Sequence, residues 1–231
     1  MTARLHYFKG RGNSQQSRWA LAAANIPYES VFLITADDFS QLRASGKLTY
    51  GQVPMLELDG EGVCLSQSLT IVRHCARKGG LYGTSDIEAA KIDEVIDGIK
   101  DSRGAIVGYP FGDPREAWMQ LAGAAERFFP CFEQIIQKNN HPPFAVGAAL
   151  TMADVLLAEL IESTTEALQA TYGPQAVTQV LEAFPLMRKL HEHVVALPAI
   201  QSFKASPNWM PFPTGEVGKA YVLNVRTAMA R

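Results

Sequence analysis

Apolar positions along this chain change their period once, close to residue 80. Before that point short strand-like runs alternate with helical patterns. Residues 4–8, 28–34, 55–58 and 63–65 are apolar runs bounded by turn residues and predict strands. Residues 14–24, 37–44 and 66–78 carry helical spacing. Asp59-Gly60 is a hairpin signal between the last two strands, and Gly79-Gly80 closes the third helix. The order βαβ-α-ββα predicts a small α/β unit with a mixed sheet.

From residue 85 onward the period is 3.6 and no strand is predicted. Ile87, Ile92, Val95, Ile96 and Ile99 mark one helical face, and Trp118, Leu121, Phe128, Phe129, Phe132 and Ile135 another. Asn139-Asn140-His141-Pro142-Pro143 reads as a loop, and 155–168 as a helix buried on most sides. Shorter helices occupy 175–197, broken at Pro185 and Pro198. The expected organisation is an α/β domain over 1–80, a linker over 81–85 and an all-helical domain over 86–231. Beyond residue 206 the chain could be a flexible tail, yet Tyr221-Val222-Leu223 is apolar enough to pack near a ligand pocket as a partial lid.

Bulk numbers narrow the class. With 231 residues, 47% hydrophobic and 19% charged, the chain has ample material for a core without staples. A formal charge of −2 gives no reason to expect nucleic acid or an acidic membrane as partner. Cys64, Cys75 and Cys131 are an odd number at unrelated spacings, so neither a zinc ribbon nor a dithiol motif is supported, and no metal site is expected. No signal pattern and no long uncharged apolar run is present, which points to the cytoplasm.

Three local patterns carry candidate chemistry. Leu5-His6-Tyr7-Phe8 delivers a tyrosine to the turn Lys9-Gly10-Arg11-Gly12, directly before a helix bearing Arg18-Trp19. A strand tyrosine can simply be core; here it also stands beside free helix N–H groups that attract an anion. If the ligand is a thiol, a hydroxyl donated to it favours the thiolate. In Gly51-Gln52-Val53-Pro54 the proline either starts a strand or closes a cis turn that leaves the Val53 backbone free to pair with an extended peptide. Ser66-Gln67-Ser68 opens a helix, either as an N-cap or as a carboxylate site with neutral donors.

Taken in order, these motifs resemble the cytosolic glutathione transferases of the tyrosine type, nearest to sigma- and alpha-like classes. Tyr7, Arg11-Gly12 and Arg18-Trp19 match the family spacing. Gly51-Gln52-Val53-Pro54 matches its cis-proline turn, Gln67-Ser68 its γ-glutamyl site, and Gly147 with Leu150-Thr151-Met152-Ala153-Asp154 its capping segment. The resemblance implies a thioredoxin-like N-terminal domain, an all-helical C-terminal domain, a homodimer, and glutathione as cosubstrate with no bound cofactor. It assigns thiolate stabilisation to Tyr7 with Asn13 nearby, and cysteinyl pairing to Val53 flanked by Gln52 and Pro54. Gln67 and Ser68 take the γ-glutamyl carboxylate, and Asp101 its amine across the dimer. Phe39 is placed near the glycyl end, with Arg43 or Lys47 on the glycyl carboxylate. Phe8, Gly12, Gly104, Tyr109 and Phe111 border the pocket for small hydrophobic electrophiles, although Tyr109 could equally be a helix-end aromatic.

The chain departs from the family at Asn13, where alpha and many sigma enzymes carry arginine, and at Gly147-Ala148-Ala149, which lacks a polar residue after the glycine. The implied reaction is conjugation of glutathione to electrophiles. Its rivals are a glutathione-dependent isomerase of the prostaglandin D synthase kind, a non-catalytic ligand-binding protein, and a serine-type enzyme using Ser14.

Overall fold

The apolar run Ala3–Phe8 becomes strand β1, buried at every position but one and placed inside a four-stranded sheet. The computed structural model describes residues 2–58, 60 and 62–230. Sheet order is β2-β1-β3-β4, with β2 at Tyr28–Leu33, β3 at Met55–Leu58 and β4 at Val63–Ser66. β1 runs parallel to β2, pairing Tyr7 with Phe32, and antiparallel to β3, pairing Leu5 with Leu56. β3 and β4 are antiparallel, pairing Leu56 with Leu65; Asp59 of the predicted turn between them lies outside the described residues. Helices α1 (Ser14–Ala23), α2 (Ala36–Ala44) and α3 (Ser68–Lys78) complete this thioredoxin-like layer. The third helix begins at Ser68 and not at Ser66. Ser66 still belongs to β4, and Gln67 between them takes φ 74°.

The rest is helical: α4 (Asp86–Ser102), α5 (Gly104–Gly108), a 3₁₀ turn at Tyr109–Phe111, α6 (Pro114–Lys138), α7 (Met152–Tyr172), α8 (Pro174–Ala183), α9 (Pro185–Val195), α10 (Pro198–Lys204) and α11 (Gly215–Met229). Pro185 and Pro198 each occupy the first helical turn, where a missing N–H costs nothing, so they start helices after breaking the pattern. α7 is the central helix and packs against α1, α3, α4, α6, α8 and α9. Its capping box forms as the spacing of Thr151 and Asp154 requires. Asp154 also accepts the Ala145 N–H at 2.6 Å, fixing the preceding loop. One continuous core joins the layers through Trp19, Leu56, Ile71, Ile92 and Val155. Ile87, predicted on the buried face of α4, is instead 74% exposed, because it lies in the first turn before the helix reaches α7. Phe128 and Ile135 are half-buried on α6, while Phe129, Phe132 and Ile136 face the core.

A second, smaller cluster gathers Tyr7, Phe8, Leu33, Phe39, Leu48 and Met55 with Tyr221 and Ala228. The last two come from α11, which packs on α2, β1 and the 3₁₀ turn. The chain end is thus a docked helix, seated at the end of β1 where the candidate chemistry lies.

Candidate active site

The turn after β1 is held by three donors to successive carbonyls. Arg18 Nη1 donates to Gly10 O at 2.8 Å, Ser14 Oγ to Arg11 O at 2.9 Å, and Arg103 Nη2 to Gly12 O at 3.1 Å. With these oxygens occupied, the Asn13 N–H is presented to the Tyr7 hydroxyl and donates to it at 3.0 Å. Gly12 has φ 39°, and a Cβ there would come within 2.3 Å of the Tyr7 hydroxyl. Ser14 is fully buried, and its hydroxyl is committed to the turn.

The arginines are anchored in different ways. Arg11 pairs bidentately with Glu166, donates through Nε to Met210 O at 2.7 Å, and lies 4.8 Å from the Trp209 ring centroid. Burial raises the Glu166 carboxyl, an effect that Arg11 opposes. Arg103 pairs with Glu159 at 2.6 Å in the interior. Arg18 is wholly buried without a carboxylate partner among the described residues; burial lowers it to about 10, so it remains a cation beneath Tyr7 and Tyr221.

Beside Tyr7 opens a small polar cleft of about 60 Å³ lined by Asn13, Tyr50, Gln52, Val53, Pro54, Ser66, Gln67 and Ser68. Val53-Pro54 is cis, and Val53 lies just before Met55, the first residue of the β3 ladder. At the opposite wall α3 starts at Ser68 with no side-chain cap on its N-terminus. Its first N–H groups and partial positive charge face the cleft, a ready anion site. Six of the sequence-predicted residues, Asn13, Gln52, Val53, Pro54, Gln67 and Ser68, therefore meet in one place. Ser66, part of the predicted Ser66-Gln67-Ser68 motif, joins them, and Tyr50 does so unpredicted; Tyr50 had a signal, since it directly precedes Gly51-Gln52.

Other predicted residues stand elsewhere. Phe39 is buried against Phe8, with ring centroids 5.7 Å apart, and does not face the cleft. Arg43 stacks on Phe39 and reaches past Gly51, without a carboxylate partner among the described residues. Lys47 is engaged by Glu57 at 2.6 Å; Glu57 also meets Arg4 and His6. Asp101 is exposed on α4.

On the electrophile side, Gly12 borders a space of only about 10 Å³ with Arg103, Ile106, Pro110, Phe212 and Tyr221. The Tyr221 ring walls it and lies 5.7 Å from Phe111, while Tyr109 packs on Phe212 at 5.4 Å and its hydroxyl meets Thr171. Phe8 is buried next to Tyr7, and Gly104 faces open space. Arg18 and Arg103 went unassigned as site residues in the sequence, because nothing local marks an arginine on α1 or one between α4 and α5 as a neighbour of Tyr7; Tyr221 was expected only as part of a partial lid.

Two family models match the chain: "Glutathione S-transferase, N-terminal domain" over residues 3–77 and "Glutathione S-transferase, C-terminal domain" over residues 101–207. Glutathione S-transferase A3 of Mus musculus is 38% identical over 203 residues, covering 86% of each chain. Glutathione S-transferase alpha-4 of Rattus norvegicus is 35% identical over 231 residues, covering 98% of this chain and 97% of the relative. Among solved structures, monomeric Na-GST-3 of the hookworm Necator americanus has a TM-score of 0.75 at 25% identity, covering 92% of this chain and 100% of that one. The chain belongs to the glutathione S-transferase family.

Proposed function

We propose that the protein activates glutathione as a thiolate through Tyr7 and conjugates it to small hydrophobic electrophiles. The observation that carries this reading is the meeting of a tyrosine hydroxyl, a free strand-like backbone at Val53 and an uncapped helix N-terminus in one cleft. A tripeptide thiol fits that order of groups. Its cysteinyl backbone pairs with Val53, its γ-glutamyl carboxylate meets Gln67, Ser68 and the start of α3, and its sulfur lies at Tyr7. Arg43 takes the glycyl carboxylate in preference to Lys47, whose ammonium already serves Glu57. Gln52 and Pro54 shape the cleft, and Asn13 contributes its backbone N–H to the tyrosine.

Residues 1–80 supply this glutathione-binding unit and 86–231 much of the electrophile side, with 81–85 between them. Tyr109, Phe111 and Tyr221 surround the electrophile, whose entry requires α11 to shift. Catalysis is donation of a hydrogen bond to developing sulfur charge plus alignment of two reactants, and it calls for no bound cofactor. The acting form is a homodimer in which Asp101, outside its own cleft, meets the γ-glutamyl amine held by a second copy. The described residues contain no helix long and apolar enough to cross a membrane, and the three cysteines are free; we assign the protein to the cytoplasm.

An ultraviolet difference titration with glutathione tests the reading on wild type and Tyr7→Phe. A thiolate band near neutral pH in the wild type alone is the expected result. Turnover of an aromatic halide should fall about 10²–10³-fold with the hydroxyl, the usual effect of losing one oriented donor. Glutathione binding without a band would make the protein a ligand carrier, and a band that survives Tyr7→Phe would remove Tyr7 from the mechanism.

A further inference from the structure

The proposed chemistry sets the Tyr221 ring beside the electrophile but gives its hydroxyl no task. Its ring packs where only glycine permits, since a Cβ on Gly10 would approach it to 2.2 Å, and Phe111 closes its other side. The hydroxyl reaches beyond Gly12: a Cβ at that glycine would lie 2.5 Å from the Tyr221 oxygen and 2.3 Å from the Tyr7 oxygen. Two phenol oxygens from opposite ends of the chain thus crowd one point. A methyl group on Gly10 or Gly12 would force them apart.

A phenol oxygen can donate one hydrogen bond and accept two. Tyr7 already accepts from the Asn13 N–H, which leaves one lone pair and its own proton to place. We infer that Tyr221 is a positioning residue for the thiolate chemistry, its hydroxyl donating to the Tyr7 oxygen so that the Tyr7 proton is directed at the glutathione sulfur. The inference rests on the glutathione reading for its substrate, though not for the contact itself.

The sense of the bond follows from the valences on Tyr7: its proton is committed to the sulfur, so its oxygen accepts and Tyr221 donates. Burial raises the Tyr221 phenol, and Tyr7 raises it further through charge and a hydrogen bond, while Arg18 beneath pulls the other way. Lys9, at the rim of the groove beside α11, is the further cation near this ring. The Tyr221 phenol therefore keeps its proton and is available to donate. Donors in series polarise one another, so a second donor on Tyr7 makes Tyr7 a stronger donor in turn. Docking of α11 and activation of the sulfur become one event: when the helix lifts, Tyr7 loses a donor.

The variant Tyr221→Phe keeps the ring and removes the hydroxyl. The glutathione thiolate band should then move up by about half to one pH unit, a roughly three- to tenfold loss of thiolate on the rising limb. Glutathione affinity should stay unchanged below the midpoint of the band, because Gln67, Ser68 and Val53 are untouched, and weaken above it by roughly the same three- to tenfold factor. In a Tyr7→Phe background, Tyr221→Phe should shift the thiolate no further. The ligand-free protein gives a second readout, the near-ultraviolet phenolate absorbance that depends on Tyr7, which should develop at higher pH in Tyr221→Phe. Unchanged thiolate and phenolate curves, or an equal thiolate shift in both backgrounds, would overturn the inference. If the wild type forms no thiolate band, the glutathione reading falls, and the phenolate titration still decides whether Tyr221 donates to Tyr7.

Discussion

The two halves of the cleft are built by opposite means. The polar half, at Gln52, Val53, Gln67 and Ser68, is open and assembled from two short turns that each carry their own instructions. The apolar half is closed, and its principal occupant, Tyr221, arrives on the last helix. Between them stands Tyr7, whose hydroxyl takes one bond from its own turn and lies beside the Tyr221 hydroxyl from the far end of the chain. A site can therefore have one partner determined by adjacent residues and another by packing alone.

Breaking the join between the halves should have the largest effect. Arg103 binds Glu159 on α7 and the Gly12 carbonyl, and both charged side chains are buried. Arg103→Leu strands the Glu159 charge, and thermal or denaturant unfolding should show a loss of about 3–5 kcal/mol. Adding Glu159→Leu should restore part of it. A single variant as stable as the wild type would show that the pair is no clasp.

A smaller effect should separate the halves. Gln67→Ala removes a donor from the polar half alone, and titration calorimetry should find glutathione bound about tenfold more weakly, roughly 1.4 kcal/mol. Electrophile KM should not change. Arg43→Ala should weaken glutathione more than Lys47→Ala does; the reverse order would return the glycyl carboxylate to Lys47.

The finest contrast is in pH. Glu57, in the sheet, is held below the ordinary glutamate range by the Lys47 hydrogen bond, against its burial and with His6 and Arg4 assisting. Its contribution to stability is present above about pH 4.3 and is lost as pH falls through the lower folded value. Burial pushes Asp154, capping α7, up to about 6 despite its three donors. Its contribution is therefore present below about pH 4 and lost as pH rises through 6. Unfolding curves of Glu57→Gln and Asp154→Asn against wild type should show pH dependences of opposite sign.

Where sequence and structure parted, long-range contact was the reason. The strand–turn–helix around Tyr7, the cis proline and the Thr151–Asp154 cap were legible because each depends on residues within a few positions of one another. Ser66 was misplaced into α3 because Gln67 adopts a left-handed φ that its residue type does not advertise. Phe39 packs inward with Phe8 and Leu48 while Arg43 stacks on its ring, a placement that no local pattern announces. Ile87 has the right spacing for the core of α4 but no neighbour to bury it.

The sequence by itself determined the family, the order of strands and helices, and the polar half of the cleft, since turns, caps and short motifs are encoded by adjacent residues. Only the tertiary structure decided that Arg18 and Arg103 hold the Gly10 and Gly12 carbonyls, that Lys47 is engaged by Glu57 while Arg43 stacks on Phe39, and that the final helix sets a second hydroxyl beside Tyr7. Those outcomes depend on which buried surfaces meet across distant parts of the chain, and periodicity along one segment carries no record of its partner.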